Sequence, residues 1–98
     1  MKPKTYEEFE ATLDQYALPS DWSEPLKSLW FDAKGDWESS HDIAQEIGSP
    51  MGSWIHAYLH RIEGDLSNAG YWYRRANRPP HSGLTDAEAD EIINSIFK

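Results

Sequence analysis

Three histidines and one glutamate are the residues here whose types and spacing best suit chemistry. WIHAYLHRIEGD, residues 54–65, sets His56, His60 and Glu63 four and three residues apart, so a helix would stack all three on one side. Two imidazoles at i and i+4 can chelate zinc. A third ligand could come from Glu63 or from His41 in the adjoining segment, giving a donor set of histidine and carboxylate type. The metalloprotease signature also requires a glutamate directly after the first histidine, to activate the bound water. Ala57 holds that place, which excludes the protease reading. On a helical wheel, Trp54, Ile55, Tyr58, Leu59 and Ile62 occupy one arc and His56, His60 and Glu63 the opposite one, as on a solvated polar face. Aligned instead from the Gly64-Asp65 turn, the two histidines face a neighbouring helix, buried and hydrogen-bonded to Asp42, Tyr58 or Tyr71. Periodicity alone leaves both placements open.

A second group surrounds Arg74 and Arg75, which lie beside Tyr71 and Trp72, with Arg78 and His81 beyond and Arg61 at the end of the preceding run. Guanidinium groups next to aromatic rings suit a carboxylate, a phosphate or a flat ligand. The same arginines would also complement the negative ends of their own helices. Taken together, His41, His56, His60, Arg61, Glu63, Tyr71, Arg74 and Arg75 outline a surface for an acidic peptide or a small carboxylate or phosphate ligand. No nucleophile elbow, phosphate-cradling glycine loop or dinucleotide fingerprint occurs, so no catalytic residue is assigned and the reading leans towards a binding or scaffold module. The alternative is a metal-binding protein or metal-dependent hydrolase that uses His41, His56, His60 and Glu63 to hold zinc or another divalent ion; otherwise no cofactor is expected.

Composition narrows the partners. The formal net charge of -8 argues against sequence-independent nucleic-acid binding, which needs a basic surface. Every arginine lies between Arg61 and Arg78, which makes one electropositive patch on an acidic chain. Without cysteine there is no disulfide framework and no thiolate metal site, and a reducing cytoplasm is the expected location. No apolar run is long enough for a signal peptide's core or a membrane span.

The elements that must position these residues are all helical. No stretch alternates with period two, so the expected fold class is all-α with about six helices in a single domain, 1–98. Thr5 with Glu8 and Thr85 with Glu88 read as capping boxes, opening an N-terminal helix over 5–18 and a C-terminal helix over 85–97. Between them, Gly35, Gly48 and Gly64 punctuate apolar stripes into a first hairpin over 22–47 and a second over 50–77, with Asp36 and Asp65 as caps. Ser49 and Pro50 restart the chain between the hairpins, and RPPHSG, residues 78–83, is a loop. The stripe after Asp65 is Leu66, Ala69, Trp72, Tyr73 and Ala76, and all five tryptophans fall on such stripes, which predicts core packing for them.

Sliding the sequence by 29 residues lays Gly35-Asp36 on Gly64-Asp65, Leu26 on Ile55, Trp30 on Leu59 and Trp37 on Leu66. A helical pair that cannot hide its apolar face alone is expected to stack on its copy. Ala57, Gly64, Asp65, Ala69, Tyr73 and Ala76, with Pro80 after them, resemble the small-residue, turn and aromatic positions of a tetratricopeptide repeat. LWFDAKGDWESSH and WIHAYLHRIEGDLSNAGYWYRRA, within residues 26–76, also resemble the two signatures of a small bacterial and fungal family. Those resemblances imply a fold of two stacked helix-turn-helix hairpins with a flanking helix at each end, and no particular activity.

Overall fold

The computed structural model describes residues 6–14 and 22–97, without the side chain of Tyr6. The first helix, α1, spans Tyr6–Ala11 and tightens into a 3-10 turn at Thr12–Asp14. It is followed by α2 (Glu24–Ala33), α3 (Trp37–Gln45), α4 (Pro50–Ile62), α5 (Leu66–Arg75) and α6 (Thr85–Phe97). Among the described residues there is no strand, and none of these helices is long and apolar enough to cross a membrane. The fold is all-α, six helices packed on one another. Thr5 and the end of the expected N-terminal helix fall outside the described residues.

The two Gly-Asp corners share one geometry. Gly35 and Gly64 have φ of 86° and 87°, the left-handed conformation that glycine takes without a Cβ penalty. Gly35 N–H bonds the Asp32 carbonyl and Asp36 N–H that of Phe31; at the second corner Gly64 and Asp65 do the same to Arg61 and His60. This paired closure satisfies the last carbonyls of α2 and α4. Asp36 and Asp65 then cap the next helices through side-chain oxygens that accept from Ser39 N–H at 3.1 Å and Asn68 N–H at 3.2 Å. Asn77, with φ of 59°, closes α5 by the same bonding pattern, to Arg74 and Tyr73.

α4 is the central helix. It packs against α2, α3, α5 and α6, and every residue from Trp54 to His60 is buried. A helix covered all round has no solvated face, so the polar arc of His56 and His60 is enclosed rather than exposed. The α3–α4 corner is tight: a Cβ on Gly52 would lie 2.6 Å from the Ile47 Cβ. In the first hairpin buried Ser28 and Ser40 replace packing of small apolar groups with hydrogen bonds, Ser28 Oγ donating to the Ser40 carbonyl at 2.8 Å. The second hairpin has Ala57 and Ala69 at the matching places, both buried.

Three expectations are corrected. Glu88 does not reach back to cap α6, which already includes Thr85; its carboxylate is fully buried. There it accepts from Trp54 Nε1 at 3.1 Å, Tyr73 Oη at 2.5 Å and Arg61 at 2.8 Å, and so ties α6 to α4 and α5. Leu66 and Ile62 are exposed at 69% and 40%, because the Gly64-Asp65 corner carries both ends of the turn away from the core. Trp22, Trp30 and Trp54 are buried in the core as expected; Trp37 and Trp72 also pack against it, but half-buried at its edge and stacked on the histidines.

Candidate metal centre

α3 and α4 bring His41, His56 and His60 together across the junction between the hairpins. Each offers a ring nitrogen, and these atoms all lie within 4.8 Å of one another. Ring centroids are separated by 4.5 Å for His41–His56, 4.8 Å for His56–His60 and 5.2 Å for His41–His60. The i, i+4 spacing on α4 supplies one pair. The third ring arrives because Trp37 Nε1 donates to the Leu59 carbonyl at 2.8 Å, which fixes the first turn of α3 against α4 and sets His41 one turn further along.

Indoles hold two of the rings from outside. Trp37 stacks on His41 with centroids 4.8 Å apart and planes 13° from parallel, and Trp72 of α5 stacks on His56 at 3.9 Å and 14°. The His60 ring is oriented differently: its Nδ1 lies 2.6 Å from Glu63 Oε1. With Glu63 ionised, Nδ1–H donates and Nε2 carries the free lone pair. That is how a carboxylate orients and strengthens a metal-ligating histidine.

His56 is only 5% exposed and His60 7%, while His41 is half-buried. Among the described residues no hydrogen bond is made by the His41 or His56 ring, and neither ring's nitrogens count among the fully buried polar atoms left without a partner, a place held by Trp30 Nε1, so they keep some contact with solvent. Burial, reinforced by the His41 and His60 rings, pushes the His56 imidazole down to about 4. Burial also lowers His41, with His60 adding to the effect and Asp42 and Glu63 opposing it. Both rings are therefore neutral near pH 7 and carry lone pairs for a cation.

The other residues expected at the site are distributed around it. Glu63 contacts His60 directly, and with Asp65 it forms a second, more exposed group of possible ligands. Arg75 packs over the Trp72 and Tyr71 rings, 5.1 and 5.8 Å from their centroids, and donates to Tyr71 Oη at 3.1 Å. Arg61 points elsewhere, to Glu88 and the Gly83 carbonyl, and takes no part in the histidine cluster. Arg74 is exposed, and Arg78 lies 3.4 Å over the Trp54 ring. The expected hydrogen bonds from the histidines to Asp42, Tyr58 or Tyr71 are not formed; Tyr58 donates instead to Asp32 at 2.7 Å, on a cleft of about 560 Å³ that shares no residue with the cluster.

Sequence reasoning missed the two indole walls. Trp37 is one turn before His41, a spacing that could have marked it; Trp72 carries no local signal that would link it to His56. No family model, no curated protein and no solved structure matches this chain.

Proposed function

We propose that this chain is a small helical metal-binding protein whose ligands are His41, His56 and His60, with Glu63 orienting His60 from outside the coordination sphere. The observation that carries the reading is the convergence of three imidazoles from α3 and α4, whose ring nitrogens all lie within 4.8 Å of one another. Nitrogens bound to tetrahedral zinc at about 2.0–2.1 Å lie about 3.3 Å apart, so small side-chain rotations bring the three donors onto one ion. Imidazole donors without thiolates suit zinc, nickel, copper(II) or iron(II) in preference to magnesium or calcium. The ion would join α3 to α4, and so clamp the first hairpin to the second.

The test is a competition titration. Protein made without a histidine tag and stripped with a chelator is titrated with zinc against a chromophoric chelator. One equivalent should bind, and both His56→Ala and His60→Ala should abolish it in chains whose helical content is unchanged. Retention of wild-type affinity in both variants, or no binding in the parent, would refute the proposal.

A further inference from the structure

We propose that the cleft between α1, α2, α4 and α6, which shares no residue with the histidine cluster, binds a linear aliphatic diamine in its doubly protonated form. The cleft has a volume of about 560 Å³. Much of its lining is apolar: Phe9, Leu29 and Ile93 are buried there, and Ile62, which also lines it, is partly open to solvent. Asp32 of α2 and Asp86 and Asp90 of α6 add three carboxylates to that lining. Among the described residues no lysine, arginine or histidine forms an ion pair with any of the three. The neighbouring cations are engaged elsewhere. Lys34, next to Ala33 in sequence, donates to the Leu13 carbonyl, and Arg61, next to Ile62, donates to Glu88 and the Gly83 carbonyl.

A metal ion does not suit this arrangement. Oxygens that hold a divalent ion converge on one point, and the groups of described residues whose donors converge so contain none of these aspartates. Asp86 and Asp90 stand one helical turn apart, about 6 Å along the axis of α6. That separation matches the reach of a short alkyl chain with an ammonium group at each end. Asp86 also complements the positive end of α6, a use that Asp90, one turn further in, does not share. Burial raises the Asp32 carboxyl above its ordinary value, with Asp86 adding to the effect and the bond from Tyr58 Oη opposing it. Asp86 is therefore close enough to act on Asp32, and one ammonium can serve both while the second meets Asp90. A positive charge there favours the ionised carboxylates, and the methylene groups between the two charges cover the apolar lining.

The test titrates the full chain, kept in chelator, with tetramethylenediamine at fixed ionic strength and follows the backbone amide resonances. Saturable shifts centred on residues of the cleft are expected. The affinity should fall several-fold in Asp86→Asn and in Asp90→Asn, both at exposed positions, and stay unchanged in Glu91→Gln, whose carboxylate pairs with His81. Butylamine, with a single charge, should bind several-fold more weakly, and magnesium chloride should leave the cleft residues unmoved. Equal affinities for butylamine and the diamine would overturn the two-headed ligand. Parental affinity in the chain carrying both Asp86→Asn and Asp90→Asn, an equal response to magnesium, or no saturable shift with the diamine would overturn the site.

Discussion

His60 Nδ1 and Glu63 Oε1 lie 2.6 Å apart at the end of α4, the buried ring meeting a carboxylate that is itself 41% exposed. The pair is local, i to i+3, so it forms whenever α4 forms and fixes which ring nitrogen faces the other histidines. Removing the charge while keeping the shape isolates that role. Glu63→Gln should weaken zinc binding about 10- to 100-fold, the usual effect of losing such a partner, with little change in unfolding midpoint. Chelator competition and urea titration measure the two quantities separately.

The histidine cluster should also make the metal-free protein acid-sensitive. The His56 imidazole titrates at about 4 in the folded chain and near its ordinary 6.5 when unfolded. Between those values the unfolded state holds more protons, so stability is complete above about pH 6.5 and declines as pH falls towards 4. His41 shifts in the same direction; the titratable groups acting on His56 are His41 from α3 and His60 from α4, with the uncharged Trp72 of α5 stacked on it, while Asp42 and Glu63 act on His41. His56→Phe keeps a flat ring against Trp72 and removes the proton site. Its melting temperature should fall less than that of the parent between pH 7 and pH 4.5, as read by circular dichroism in the presence of a chelator.

Glu88 holds the other side of α4. Its buried carboxylate has three donors, Arg61, Trp54 and Tyr73, and burial together with this carboxylate raises the Tyr73 hydroxyl well above its ordinary value. Glu88→Ala strands a mostly buried guanidinium and should cost about 3–5 kcal/mol in denaturant unfolding. Glu88→Gln, which retains hydrogen-bonding capacity, should cost less. Zinc affinity per folded chain should survive both, because no ligand lies on α6.

How much of this was legible follows from how local each feature is. The Gly-Asp corners could be read directly, because a positive φ and a side-chain cap restrict the residue types that can stand there. The His56–His60 pair came from helical spacing alone. That His41 joins them, and that Trp37 and Trp72 cover them, depends on how α3 and α5 pack on α4, which no periodicity within one helix encodes. The helical wheel placed the histidines opposite an apolar arc and suggested solvent there, while the alignment from the Gly64-Asp65 turn turned them to a neighbouring helix; α4 is in fact buried throughout from Trp54 to His60. Glu88 was misread for a related reason. A glutamate three residues after a threonine fits a capping box, yet a half-buried arginine from another helix competes for the same carboxylate.

Gly52 supplies a test of the corner that brings α3 to α4. An added Cβ would overlap the Ile47 carbonyl oxygen and approach its Cβ to 2.6 Å, backbone-level contacts that a rotamer change cannot relieve. Gly52→Ala should destabilise the chain by about 1–3 kcal/mol in urea unfolding. Because the corner sets the spacing of His41 from His56, zinc affinity should fall with it.

The central claim, that three imidazoles from two hairpins share one ion, is tested most directly by a crystal of the zinc-loaded chain with anomalous scattering recorded at the zinc edge. The account predicts a single anomalous peak about 2.0–2.1 Å from one ring nitrogen each of His41, His56 and His60, with Glu63 still on His60 Nδ1. A peak placed on the exposed carboxylates of Glu63 and Asp65, or an empty space among the three rings in zinc-saturated crystals, would contradict it.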